Sequence, residues 1–272
     1  MSATIYLIQM TTSCNALENV EFVAEQLAKL PAGGEKLVCL PEACLAFNRS
    51  IVENQQLAEN HLHWRARYAE LCQTYGVWLA VGSMPVPAAD GRYYAASILF
   101  NREGKAVAEY HKLHLFDADV SDGTKRYRES QGTAPGQHLE VVDTPFGRIG
   151  MAICYDMRFP SLFQQLRKAG AELILVPSAF TTVTGAAHWE VLLRSRAIET
   201  QCFVIAAAQV GVHQNGRETY GHSMVISPWG TILAEVPKDV TTLAVELDFT
   251  ELQRVRQAMP LPEHSRFAEQ LI

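Results

Sequence analysis

The chain of 272 residues is short of several features that mark whole protein classes. No apolar run approaches the ~20 residues that cross a bilayer, so no membrane-spanning helix is expected. Met1 to Met10 has no basic region and no cleavage site, so no signal peptide is expected. There is no CxxC pair and no HExxH, the spacings that hold or use zinc, so a structural zinc site is not expected. Positive charge is scarce. Lys and Arg number 23 against 29 Asp and Glu, giving a formal net charge of -6 and a pI of about 5.9. Binding of nucleic acid through bulk charge is therefore not expected. No linker and no sequence repeat divides the chain, which reads as one domain over 1–272 with a core at about 4–268. Charged residues make up only 19% and hydrophobic residues 48%, which are globular values. The six cysteines (14, 39, 44, 72, 154, 202) are scattered through apolar segments. That scatter fits reduced thiols in a cytoplasmic protein better than a disulfide framework.

What is present is an alternation of strands and helices. Apolar strands are expected at Thr4 to Met10 and Lys36 to Leu40, with an amphipathic helix from Asn15 to Leu30 between them. Ile51 to Tyr75 reads as mostly helical, closed by Gly76. Strands follow at Val77 to Val86, Tyr93 to Phe100 and Ala106 to Leu115. Phe116 to Gly136 has no clear period and reads as a long functional loop. Further strands are expected up to Thr242 to Asp248. A helix is expected over Ala186 to Gln201, and another over Thr250 to Met259 with Thr250 as its N-cap. The tail beyond Pro260 reads as extended and as packing on a partner. Strands alternating with helices at both ends, with hairpins between, give an α/β fold of two mixed sheets with helices outside.

The stretch from Gly150 to Pro160 concentrates the chemistry. Ile149 to Ile153 reads as a buried strand that stops at Cys154, and Pro160 opens an amphipathic helix closed by Gly170. A thiol facing a helix N-terminus is expected to have a lowered pKa and to suit a nucleophile. The alternative is a buried structural cysteine, the commonest fate of this residue. A cysteine nucleophile needs a base. His111 and His114 flank Lys112 on an alternating strand and read equally as packing residues. Glu42 ends an apolar strand after Pro41, as Cys154 ends its own, and strand ends in α/β folds are where ligands bind. Lys112 interrupts a strand with a charge that either reaches solvent or meets a carboxylate.

Taken together, Leu40-Pro41-Glu42, His111 to Asp117 and Cys154 to Pro160 resemble the Glu–Lys–Cys signatures of the nitrilase superfamily of carbon–nitrogen hydrolases. The resemblance covers about residues 4 to 268. It implies a four-layer α-β-β-α sandwich, no cofactor and no metal, and a homodimer joined through the sandwich. It implies Cys154 as nucleophile, Glu42 as base, and Lys112 with the Tyr155 backbone N–H as oxyanion donors. Glu129 matches the place of a second glutamate that orients Lys112 and the substrate. The implied reaction hydrolyses a small-molecule amide through a thioester. A scaffold that keeps the fold without chemistry is the alternative from another class, and the intact trio counts against it.

The stretch Pro177 to Cys202, with Tyr220 to Val225 and Pro228-Trp229-Gly230, is similar to the deaminated-glutathione amidase branch. That branch releases 2-oxoglutarate and cysteinylglycine, and its sister ω-amidase takes 2-oxoglutaramate and related keto-acid amides. Phe180 and Thr181 within this stretch are expected to contact substrate. Arg158 either meets the anionic 2-oxo acid end or pairs with an Asp or Glu of the fold. A helix start at Ala186-Ala187 after Gly185 is expected to receive a second carboxylate. Trp189 reads as core, and Arg194, Arg196 and Glu199 read as structural partners on one helix. Ser161 departs from the family, which commonly has glutamate there, and bears on local capping.

Overall fold

The computed structural model of the chain describes residues 2–266. The first part of the chain runs β1 (Ser2–Gln9), α1 (Ala16–Ala28), β2 (Lys36–Cys39), α2 (Ile51–Glu59) and α3 (His61–Tyr75). It continues with β3 (Trp78–Pro87), β4 (Tyr93–Phe100) and β5 (Ala106–His111), then a small hairpin of β6 (Asp117–Asp119) and β7 (Arg126–Arg128). Next come β8 (Val141–Thr144), β9 (Gly147–Met151), α4 (Pro160–Lys168), β10 (Leu173–Leu175), α5 (Thr182–Thr200) and β11 (Phe203–Ala206). A second small hairpin, β12 (Val210–Val212) and β13 (Glu218–Tyr220), precedes β14 (Ser223–Ile226), β15 (Ile232–Val236), β16 (Thr241–Asp248), α6 (Phe249–Ala258) and α7 (Leu261–His264).

Two six-stranded sheets result, in the orders β16-β1-β2-β3-β4-β5 and β15-β14-β11-β10-β9-β8. Each has three parallel strands in its middle, β1-β2-β3 and β9-β10-β11, with antiparallel strands on both sides. The period of two decides which side chains meet. On β1 and β2, Ile5, Leu7, Leu37 and Cys39 face the second sheet and share a core with its Met151 and Leu175. Their neighbours Tyr6, Ile8 and Val38 face the other way and pack with Val20, Val23 and Leu27 of α1 and with Tyr68 of α3. Helices α4 and α5 cover the second sheet through residues such as Phe163, Leu166 and Leu193. The layers are therefore α-β-β-α. Among the described residues no helix is long and apolar enough to cross a membrane.

Several elements differ from the sequence reading. The helix expected over Ile51 to Tyr75 is broken at Asn60, whose side chain turns back to donate to the Gln56 carbonyl at 2.9 Å. Such local bonding competes with helix continuation. Helix α5 begins at Thr182 rather than Ala186, because Thr181 acts as N-cap and its hydroxyl accepts from the Thr184 N–H at 3.3 Å. The cap outweighs the low helix propensity of the Thr182-Val183-Thr184 run. Asp248, not Thr250, caps α6, accepting from the Thr250 N–H at 2.9 Å. The stretch read as a loop from Phe116 to Gly136 holds β6, β7 and a 3₁₀ turn at Glu129–Gln131. The tail read as extended forms α7, and its residues from 267 onward lie outside the described residues.

Candidate active site

Glu42 and Cys154 stand in equivalent places on the two sheets, each three residues past the end of a parallel strand. Beyond β2, the Leu40 N–H still bonds to the Ala80 carbonyl at 2.9 Å, and the chain then turns at Ala43, which has φ 55°. Gly82 permits this. A Cβ there would lie 2.2 Å from the carbonyl oxygens of Leu40 and Pro41, so no larger residue fits beneath the glutamate. The Ala43 N–H donates to Ser83 Oγ at 2.7 Å, and Gln209 Nε2 donates to the Glu42 carbonyl at 2.9 Å. The backbone of Glu42 is thus fixed from both sheets.

Beyond β9, the Ala152 N–H bonds to the Leu175 carbonyl at 3.0 Å and the Cys154 N–H to the Pro177 carbonyl at 2.9 Å. Cys154 has φ 46°, a left-handed conformation that L residues adopt at a cost of about 1–2 kcal/mol. It opens a 3₁₀ turn, Cys154–Arg158, ahead of α4. Asp156 in that turn is fully buried and collects donors. It accepts from the Ile153 N–H at 2.9 Å, the Tyr110 hydroxyl at 2.7 Å and the His114 N–H at 3.0 Å, and lies 2.8 Å from His114 Nδ1. The His114 ring also stacks on Phe159 with centroids 3.7 Å apart. Asp156 therefore ties the cysteine turn to the segment that carries Lys112.

Strand β5 ends at His111, so Lys112 lies just past the strand rather than inside it. Its side chain is only 2% exposed. The ammonium lies 2.7 Å from Glu42 Oε1 and 3.0 and 2.9 Å from the two oxygens of Glu129. Glu42 Oε2 accepts from the Ala179 N–H at 2.9 Å, and Glu129 Oε2 accepts from the Phe116 N–H at 2.6 Å. The Cys154 thiol lies beside Glu42 and feels its charge. All four residues singled out in the sequence thus form one connected cluster.

Its electrostatics follow from burial and these neighbours. Burial alone would lower the lysine, but the carboxylates of Glu129 and Glu42 outweigh it and hold Lys112 well above the ordinary ammonium value. Burial, with the Glu42 charge, pushes the Glu129 carboxyl up against the pull of Lys112. Burial and the adjacent Glu42 carboxylate also push the Cys154 thiol well above its usual range, while Lys112 pulls it down. The lowered thiol pKa expected from a helix N-terminus is therefore overturned. The residue opens a short 3₁₀ turn instead, and desolvation beside a carboxylate dominates.

The cluster opens into a cavity of about 450 Å³, within the ~300–1,000 Å³ of small-molecule sites. Tyr155, Arg158, Phe180 and Thr181 all line it. The Arg158 guanidinium sits 5.3 Å from the Phe180 ring centroid and 3.3 Å from His188 Nδ1, and among the described residues no carboxylate pairs with it. Thr181 serves the α5 cap as well as the cavity wall. The helix start at Ala186-Ala187 does not exist. Gly185 lies in the first turns of α5, where a Cβ would meet the Tyr220 ring at 2.2 Å, so its smallness serves packing. Trp189 is core, and Arg196 is buried with its Nε on the Met157 carbonyl at 2.7 Å, beneath the cysteine turn. Ser161 is exposed in the first turn of α4. His111 packs on the Tyr94 ring, as one reading had it.

Sequence reasoning missed the Ala179 N–H, Asp156, Gln209 and Arg217. Asp156 lies two residues from Cys154 and breaks an apolar stretch, which is a usable signal. Gln209 and Arg217 reach the site only through long-range folding and carry no local signal.

Comparison with known proteins places this geometry in context. The sequence model described as carbon–nitrogen hydrolase matches residues 4–257. A protein of Yersinia enterocolitica described as deaminated glutathione amidase is 43% identical over 274 residues, which is 100% of this chain and 96% of that protein. Among solved structures, the Caenorhabditis elegans NitFhit protein matches with a TM-score of 0.90 and 37% identity, over 97% of this chain and 65% of that one. Saccharomyces cerevisiae Nit3, described as a member of branch 10 of the nitrilase superfamily, matches with a TM-score of 0.84 and 31% identity, over 98% and 97% of the two chains.

Proposed function

Because the chain belongs to the carbon–nitrogen hydrolase family, we propose that it hydrolyses the amide bond of deaminated glutathione to 2-oxoglutarate and cysteinylglycine. The observation that carries the chemistry is the Lys112 ammonium bonded at once to Glu42 and Glu129, with the Cys154 thiol beside Glu42 on the same cavity. The substrate comes from the relatives described as deaminated glutathione amidases.

In the proposed reaction the thiol is neutral at rest, because burial and Glu42 push its pKa up. Glu42 takes the thiol proton as sulfur bonds to the amide carbon. The resulting oxyanion is held by the Lys112 ammonium and the Tyr155 N–H, where fixed donors have most effect. The C–N bond then breaks and Glu42 passes its proton to the leaving nitrogen. Water attacks the thioester, giving its proton to Glu42, and the C–S bond breaks with return of a proton to sulfur. Glu129 keeps Lys112 charged and aimed. Arg158, with no carboxylate partner among the described residues, receives the 2-oxo acid anion, and Phe180 and Thr181 wall the same end. From the resemblance alone, the reading carries a single-domain cytoplasmic homodimer that needs no cofactor. The test is kcat/KM for deaminated glutathione and 2-oxoglutaramate on one preparation. A ratio above one is expected, and a ratio at or below one assigns the enzyme to the ω-amidases instead.

A further inference from the structure

We propose that Arg217, clamped between Phe47 and Tyr127, is a second anion subsite that receives the carboxylate at the far end of the leaving group. The inference rests on the amide-hydrolase reading of the same cavity and deepens it.

Arg217 follows the turn between β12 and β13 and lines the cavity that holds Cys154. Its guanidinium carbon lies 4.6 Å from the Phe47 ring centroid and 4.8 Å from that of Tyr127. Two aromatic faces hold a planar cation without using its hydrogen-bond donors. The clamp is itself anchored. Asn215 donates to the carbonyls of Phe47 and Asn48 at 3.1 and 3.2 Å and accepts from the Arg217 N–H at 3.0 Å. The Tyr127 hydroxyl donates to Asp122 at 2.7 Å.

What the guanidinium lacks is an anion. Among the described residues no carboxylate pairs with Arg217 and no acceptor takes its guanidinium protons, although it is half-buried. Arg128, on the same cavity wall, is paired with Asp119 at 2.9 Å. Arg158 is the other half-buried cavity arginine without a carboxylate, and it comes from the turn that carries Cys154. Arg49 and Arg126 also line the cavity without a carboxylate partner among the described residues, but they are exposed. Arg158 and Arg217 are thus the two half-buried unneutralised cations there, from separate elements of a chain with net charge -6. That pattern fits a ligand with a carboxylate at each end. Deaminated glutathione has one on its 2-oxo acid and one on its glycine, whereas 2-oxoglutaramate has only the first.

The experiment compares deaminated glutathione with its C-terminal carboxamide, on the parent enzyme and on Arg217→Met, which keeps the stem between the rings. Loss of one charge-assisted pair is expected to lower kcat/KM for the carboxylate substrate by about 10- to 100-fold, mainly through KM. The carboxamide should change by less than about 3-fold, and Arg217→Lys should recover part of the loss. A structural role would depress both substrates alike, and that outcome overturns the proposal, as does no change in either. Calorimetric binding of both compounds to Cys154→Ala protein, with and without Arg217→Met, applies the same comparison without turnover. A parent enzyme that prefers 2-oxoglutaramate sinks the proposed function. Equal affinity losses for carboxylate and carboxamide sink the Arg217 subsite.

Discussion

Replacing Lys112 by methionine is the most informative perturbation of the cluster. The side chain is almost wholly buried, and its ammonium lies 2.7 Å from Glu42 and 2.9 Å from Glu129. Methionine fills similar space but leaves two carboxylates facing each other with no cation between them. At ~5 Å and an effective dielectric near 20, their repulsion is about 3 kcal/mol. Removing one partner of a buried charge cluster typically costs ~3–5 kcal/mol. Urea denaturation should therefore show a loss of that size near neutral pH. The loss should depend on pH. The folded-state pKa of Glu129 is already raised by burial and Glu42, and Lys112 is what restrains it. Without Lys112 it rises further above its unfolded value. A raised carboxyl favours the folded state while protonated, so stability falls as pH climbs through the folded pKa. The deficit should be larger at pH 8 than at pH 5.5, because the parent, whose Glu129 is raised less, loses less by the same route. Turnover should fall about 10²- to 10³-fold from the lost oxyanion donor. A variant with the parent denaturation midpoint at both pH values would refute the charge assignment, and turnover within a few-fold of the parent would refute the oxyanion role.

Other perturbations probe the parts around Lys112. Cys154→Ala should abolish turnover with an unchanged circular dichroism spectrum, and intact-mass trapping on the parent enzyme should place the acyl adduct on the Cys154 peptide. Asp156→Asn must offer one carbonyl where a carboxylate collects donors from Ile153, Tyr110 and His114. It should cost about 2–4 kcal/mol in urea denaturation and lower kcat more than it raises KM. Gly82→Ala puts a Cβ 2.2 Å from the Leu40 and Pro41 carbonyls. A loss of ~1–3 kcal/mol is expected, together with loss of turnover because that segment carries Glu42, and parent-like activity would show the segment yields freely.

Local pattern made the strands legible where they alternate or run apolar, as at Thr4 to Met10 and Tyr93 to Phe100. Caps and breaks were harder, because they depend on a single side-chain bond. Thr181 reaching the Thr184 N–H moves a helix start by four residues, and Asn60 divides a continuous helical pattern. The trio Glu42, Lys112 and Cys154 could be read through the family resemblance. Glu42 and Cys154 are also marked as strand ends, whereas Lys112 reads as interrupting a strand that in fact ends at His111. The second-sheet contributions could not be read. The Ala179 N–H acts through the backbone, so its residue type says nothing, and Gln209 meets Glu42 across 167 positions of sequence. The sign of the Cys154 pKa was misread because the approach of Glu42 from the other sheet is a tertiary fact.

That approach explains how a raised thiol pKa suits the proposed chemistry. The cluster holds one ammonium and two carboxylates, and a resting thiolate would add a further buried negative charge, which desolvation opposes. Lys112 cannot be the base, since its neighbours hold it charged. The proposed base is then Glu42, the carboxylate beside the thiol. Moving the proton from sulfur to Glu42 as sulfur attacks leaves the net charge of the site unchanged. The negative charge passes from the carboxylate to the carbonyl oxygen, where the Lys112 ammonium is to meet it. Charge is thereby relocated inside a buried site rather than created there, which avoids the desolvation cost that a free thiolate would carry.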